Sequence, residues 1–137
     1  MSNFIYGKTK EAILNGEINF SLHQFKAVLV NSNYIPSINA DQYVSDIPLN
    51  ALSTRTNFFV NVSNTLGTID AEDLAIASHD GSAFNAVVIY RSNTSDSDSR
   101  LIAYIGTAEG IPFNGSNSND VPITIVWNNE VGKILSL

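Results

Sequence analysis

The segment Ala86-VVIYRSNTSDSDSRLIAY-Ile105 decides how the rest of the chain is read. Two β-branched and aromatic runs, Ala86 to Arg91 and Arg100 to Ile105, are similar in length and separated by a polar loop of serines, Asn93, Asp96 and Asp98. Such a pair predicts an antiparallel hairpin. Asp96 and Asp98 are spaced like the first two ligands of a calcium loop. An EF-hand loop, however, continues through a glycine to a bidentate glutamate at about its twelfth position, where this chain has Thr107. The loop is therefore expected to be a hairpin end, with Arg91 and Arg100 at the strand termini offsetting the aspartates beside them.

The flanking segments carry strand signals of the same kind. Phe25-KAVL-Val30 is a continuous apolar run, the pattern of a strand covered on both faces. Val121-PITIV-Trp127 alternates, which places Ile123, Ile125 and Trp127 on one face. Thr56-NFFVNV-Ser63 is expected to be another strand, with Phe58, Val60 and Val62 on one face and Phe59 on the other. Shorter strands are expected at Glu17 to Phe20, Leu74 to Ala77 and Ile134 to Leu137. Asn31 to Gln42 and Pro112 to Val121, rich in Asn, Ser and Pro, read as loops, and Asn128 to Lys133 as a turn. Tyr43-VSDI-Pro48 is either a helical turn or an edge piece, since Pro48 stops both. Only Lys8 to Asn15 looks helical, with Gly16 where a glycine ends a helix. A helix of about two turns needs tertiary support, and Phe4 and Tyr6 are placed to supply it. Roughly eight strands at intervals of about 10 to 15 residues predict an all-β fold. The expectation is one antiparallel β-sandwich over residues 1–137, jelly-roll or immunoglobulin-like, with an arm and short helix at 1–16.

Composition narrows the function. The chain has 137 residues, enough for one domain with a real core. Charged residues make up 15 %, below the roughly 25 % usual in globular domains, and Asn, Ser and Thr take their place. Amides and hydroxyls lose less on desolvation than charges do, which suits a surface used against other proteins. The net charge is −6 and the seven basic residues do not cluster, so no nucleic-acid footprint is present. Cysteine is absent, which removes disulfides, thiol nucleophiles and Cys-based zinc sites. The N-terminus lacks a signal-peptide pattern and no run reaches membrane-spanning length, so no membrane partner is expected and synthesis in a cytoplasm is.

Candidate chemistry is sparse. There is no G-x-S-x-G elbow and no phosphate-binding glycine loop. His79-Asp80-Gly81 and His23, in polar stretches, read as solvated turns. Asp70, Glu72 and Asp73 offer oxygens to a hard cation such as calcium, against the plainer reading of a solvated turn with an aspartate cap. Trp127 is expected in the core, and Phe113, at the mouth of a polar loop beside Asn114, as an anchor for a partner. Asn61 and Asn93 begin glycosylation sequons that mean little without secretion. No catalytic residue, metal or cofactor is expected.

Taken in order, Tyr6-GKTKEAILNGE-Ile18, Lys26-AVL-Val30, Tyr43-VSDI-Pro48, Asp70-AE-Asp73, Ala86-VVI-Tyr90, Ser99-RLIAY-Ile105 and Trp127-NNEVGKILS-Leu137 resemble a family of small virion structural proteins of tailed bacteriophages. The resemblance implies a non-enzymatic particle component, a head decoration or cement protein located in the virion. Its partners would be the major capsid protein and neighbouring copies of itself in a symmetric assembly. The family supplies no contact residues; the surfaces of this chain expected to serve such a role are the N-terminal segment with Phe4 and Tyr6, the loop Asn93 to Ser99 with Asp96 and Asp98, and the loop Phe113 to Asn119 with Asn114. Two alternatives are a tail, neck or baseplate component, and a carbohydrate-binding adhesion module with exposed aromatics beside Asn and Asp.

Overall fold

The computed structural model describes residues 3–108, 111–116, 121–127 and 134–136. The expected hairpin is at its centre. β7 (Ala86–Arg91) pairs with β8 (Leu101–Ile105), and β2 (Phe25–Val30) lies along the other edge of β7. β1 (Phe4–Ile5) and β3 (Leu52–Arg55) complete an antiparallel five-stranded sheet in the order β1-β8-β7-β2-β3.

Both faces of this sheet are covered, which is why its central strands are apolar at nearly every position. Ala27, Leu29, Val87, Ile89 and Ile105 serve one face, while Val28, Val30, Val88, Tyr90 and Tyr104 serve the other. The pairing of β7 with β8 slips between Ile89 and Tyr90, inserting an extra residue on β8. For that reason Ile102 and Ala103, adjacent in the chain, both turn to the first face.

Two small sheets cover the first face and make the sandwich. One holds β4 (Ser63–Thr65), β5 (Thr68–Asp70) and β10 (Leu135–Ser136); the other pairs β6 (Leu74–His79) with β9 (Val121–Ile125). Ile69, Leu74, Ile76, Ile123, Ile125 and Trp127 supply their share of the core, as the alternation through Trp127 predicts. The second face is covered by the connection between β2 and β3, which brings Tyr34, Val44, Ile47 and Ala51 over the sheet together with Tyr6. Val44–Asp46 forms a single 3-10 turn, one of the two forms expected there.

The helix α1 spans Gly7–Leu14. It ends as Gly16 suggests: at φ 77°, its N–H reaches the Ile13 carbonyl (3.1 Å) while the Glu17 N–H reaches Ala12 (2.9 Å). Buried Thr9 hydrogen-bonds the Leu101 carbonyl and ties the helix to β8.

Two expected strands do not form. Residues 56–62 run beside β2 without joining a ladder, because the Thr56 hydroxyl takes the Ala27 N–H (2.9 Å) that a backbone carbonyl would otherwise accept. Asn61, at φ 55°, turns the chain again. The faces differ accordingly: Phe59 and Val62 pack on the core while Phe58 and Val60 are exposed. At Glu17 to Phe20 the chain instead enters a turn built by Asn19, whose Oδ1 accepts from Ser21 N–H (2.9 Å) and Leu22 N–H (3.1 Å). The turn expected at residues 128–133 and part of the loop from Pro112 to Val121 lie outside the described residues.

Candidate functional site

The loop joining β7 to β8 is knotted by its own polar groups. Asp98 Oδ1 accepts from the Ser95 N–H (2.7 Å), and buried Ser99 accepts from the Asn93 N–H (3.1 Å) while donating to the Ser95 carbonyl (2.7 Å). Asp96 turns away from this knot. Arg55 at the end of β3 donates to both of its carboxylate oxygens, each at 2.7 Å, and those bonds hold the Asp96 carboxyl below the usual range. The two aspartates therefore diverge. Among the described residues no cluster of three or more His, Asp or Glu side chains is suited to a metal.

The local charge offset expected from Arg91 and Arg100 is not what the loop uses. Arg100 donates to Glu17 (3.0 Å) and to the Tyr43 hydroxyl (3.1 Å), with its guanidinium 4.8 Å from the centre of the Tyr43 ring. Arg91 pairs with neither aspartate. The reason is geometric: Asp98 is spent on capping Ser95, while Asp96 is drawn across the sheet to Arg55.

These groups line a cleft of about 330 Å³ at the hairpin end. Tyr43, Arg91, Arg100, Asn93, Asp98 and Glu17 face it, with Ile18 at its apolar side. Tyr43 is set there by Asp46, whose carboxylate accepts the Gln42 (2.8 Å) and Tyr43 (3.0 Å) N–H groups, and by its bridge to Arg100. The Nε–H of Arg91 is buried without an acceptor.

The other expected contacts are placed differently. Tyr6 is fully buried, its hydroxyl 2.8 Å from that of Tyr34, so it cannot meet a partner in the folded protein. Phe4 is half-buried and stacks on Tyr104 with ring centres 5.2 Å apart. The arm is thus an edge strand. Phe113 is also half-buried, stacked on Phe84 at 5.4 Å and packed on the core; Asn114 beside it is exposed. The structure brings Asp98 into the cleft and leaves the remaining five outside it.

His79 is a second departure. It is buried rather than solvated, with Nδ1 2.7 Å from the Thr54 hydroxyl and Nε2 2.7 Å from the Ser82 carbonyl. His23 does sit in a polar turn, its Nδ1 accepting the Asn19 N–H at 3.0 Å; burial, then the nearby Arg91 charge, lowers its pKa. Asp73 accepts the Trp127 N–H (2.9 Å) from a distant part of the chain and Glu72 accepts from the Asn61 amide, so these two carboxylates of the acidic group are engaged in contacts within the fold. Tyr43, Arg55 and Glu17 were not foreseen as site residues, since each meets its partner across the fold.

What fold and site define is an antiparallel β-sandwich with a polar cleft at one hairpin end. No family model, no curated protein and no solved structure matches the chain.

Proposed function

We propose that the protein is a structural component of a tailed-bacteriophage virion, foremost a head decoration or cement protein that binds the outer shell and bridges major capsid subunits. The order of segments set out above suggests the class. The observation that carries the reading is a set of aliphatic side chains standing in solvent on a surface poor in charge: Leu14, Leu22, Ile35, Leu49 and Leu66, of which Leu66 is 99 % exposed and Leu22, the least exposed, 77 %.

Single exposed apolar residues are ordinary, but four of these five lie within two residues of groups that the fold brings together. The Asn31 and Asn33 side-chain amides both donate to the Asn50 carbonyl, which draws the segments carrying Ile35 and Leu49 together. Leu14 and Leu66 adjoin Ile13 and Gly67, which line an open groove of about 340 Å³. Covering each such side chain is worth about 1.5 to 3 kcal/mol, and a standard interface buries about 1,200 to 2,000 Å² in total. Repeated over many copies, contacts of this kind hold a shell together.

Gel densitometry of purified particles tests the reading. Roughly hundreds of copies per particle are expected of a shell protein. A small multiple of six would move it to neck or tail, and absence from the particle would end the proposal. Leu49→Asp and Leu66→Asp variants should stay folded yet lose occupancy.

A further inference from the structure

We propose that the Asn114–Gly115 peptide is a site of self-modification, where the exposed asparagine converts through a cyclic imide to aspartate and isoaspartate. The chain's other Asn–Gly pair, Asn15–Gly16, is protected by the cap of α1. The inference goes beyond the virion reading and holds wherever the protein is located.

The reaction needs only water. The Gly115 main-chain nitrogen, once its proton has gone to hydroxide, attacks the side-chain carbonyl carbon of Asn114. The new C–N bond closes a five-membered ring; the bond from that carbon to Nδ2 breaks, and Nδ2 takes a proton from water and leaves as ammonia, returning the hydroxide. Water then opens the imide at either carbonyl. Cleavage on the side-chain side gives aspartate, and cleavage on the main-chain side gives isoaspartate. Glycine obstructs this ring closure least, having no Cβ beside the attacking nitrogen. The fold itself calls for glycine there, since Gly115 sits at φ 101°, a backbone that a residue with a side chain rarely adopts.

Both pairs are exposed, so hydrogen bonding and not access separates them. At the end of α1 the Asn15 N–H donates to the Glu11 carbonyl (2.9 Å), and the Gly16 N–H, which would have to react, donates to the Ile13 carbonyl (3.1 Å). The Glu17 N–H is fixed on Ala12 (2.9 Å) just beyond. A bonded amide gives up its proton only when the local structure opens, so the cap keeps the Gly16 nitrogen out of reaction. At Asn114 the anchors stand on either side instead. Phe113 exchanges two hydrogen bonds with Phe84 (2.9 and 3.0 Å), and the Ser116 N–H reaches the Gly81 carbonyl (2.8 Å). Between these anchors, no hydrogen bond among the described residues occupies the N–H of Asn114 or of Gly115. Conversion puts a carboxylate where a neutral amide stood, and the isoaspartyl product adds one carbon to the main chain between the two anchors. The surface of this loop therefore changes with the age of the molecule.

The test is incubation of the full chain in warm, mildly alkaline buffer made with heavy-oxygen water, followed by peptide mapping with electron-transfer fragmentation, which tells isoaspartate from aspartate. Asn114 should convert to both products, each carrying one heavy oxygen, and should react about tenfold or more faster than Asn15. In guanidinium chloride, which removes the cap, the two rates should converge. Asn114→Gln lengthens the side chain by one carbon, so the five-membered ring no longer forms and conversion in that peptide should stop. Equal rates in the folded protein, faster conversion of Asn15, or rates that stay apart in the unfolded chain would overturn the proposal. So would an intact Asn114 after a time that converts it in the unfolded chain, or a mass gain in that peptide undiminished by Asn114→Gln.

Discussion

Arg55 and Asp96 are 41 residues apart in the chain and share two hydrogen bonds of 2.7 Å, reaching each other from opposite sides of β2. The pair pins the hairpin loop to the edge strand β3, and the Arg55 guanidinium lies 5.8 Å from the centre of the Tyr90 ring. Both side chains are 37 % exposed, so water screens much of the attraction. A coupling of about 0.5 to 1 kcal/mol is expected from a double-mutant cycle of Arg55→Met and Asp96→Ala at pH 7. The sign with pH follows from the depressed Asp96 pKa. The contribution is complete above the unfolded value of about 3.9 and is lost as pH falls through the folded one. Urea unfolding near pH 7 and again near pH 2 measures this, and a coupling that survives at the lower pH would contradict it.

The second face of the sheet rests on a chain of hydroxyls. Tyr6 meets Tyr34 at 2.8 Å, and Tyr34 donates to Asp41 at 2.7 Å. Tyr34→Phe should cost about 1 to 3 kcal/mol because it leaves the buried Tyr6 hydroxyl alone, while Tyr6→Phe should cost less, Tyr34 keeping Asp41. Burial raises the pKa of Tyr6, Tyr34, Tyr90 and Tyr104. Their neutral forms thus stabilise the fold fully below the unfolded value of about 10, and that stability is lost as pH rises through the folded values. Alkaline titration followed by tyrosinate absorbance should show these phenols ionising with unfolding. Ionisation of all of them before any loss of structure would refute the network.

How much of this could be read from the chain depends on the distance between partners. The hairpin, the doubly buried β2, the Ile123, Ile125 and Trp127 face and the glycine after the helix all follow from patterns local to one continuous segment. Phe58 and Val60 misled because alternation is necessary for a strand but not sufficient: a hydroxyl at Thr56 captured the ladder position. Arg91 and Arg100 were visible as bracketing residues. The partners of Arg100 and of Asp96 were not, since Glu17 and Tyr43 reach Arg100, and Arg55 reaches Asp96, from other elements and leave no periodic trace. His79 shows the same limit, for nothing in a polar-looking HDGS segment reveals that Phe84 and Phe113 will close over its ring at 5.5 and 5.7 Å.

His79 also makes a direct prediction. A carbonyl only accepts, so Nε2 carries the proton toward Ser82 and Nδ1 accepts from the Thr54 hydroxyl. His79→Phe preserves ring packing but removes both hydrogen bonds, and should lose about 1 to 3 kcal/mol. Thr54→Val removes one bond and should lose about 1 kcal/mol. Equal unfolding midpoints for wild type and His79→Phe would show that packing alone matters there.

The N-terminal segment gives the sharpest contrast between an arm that reaches for a partner and a strand that completes a sheet. Asn3 Oδ1 accepts from the Gly106 (2.8 Å) and Thr107 (2.9 Å) N–H groups, Phe4 and Ile5 pair with Tyr104 and Ala103, and the Tyr6 N–H reaches the Ile102 carbonyl at 3.3 Å. Removing residues 2–7 therefore exposes the β8 edge and empties the site of a buried tyrosine, whose ring alone is worth about 3 to 5 kcal/mol. That is a large share of the roughly 5 to 15 kcal/mol holding a domain together. The truncated protein should show a lowered urea midpoint and a weakened near-ultraviolet signal from its tyrosines, whether or not any particle is present. Asn3→Ala should lose only about 1 kcal/mol. An unchanged midpoint after truncation would mean that β1 adds nothing to the fold and would return the segment to the role of a free arm.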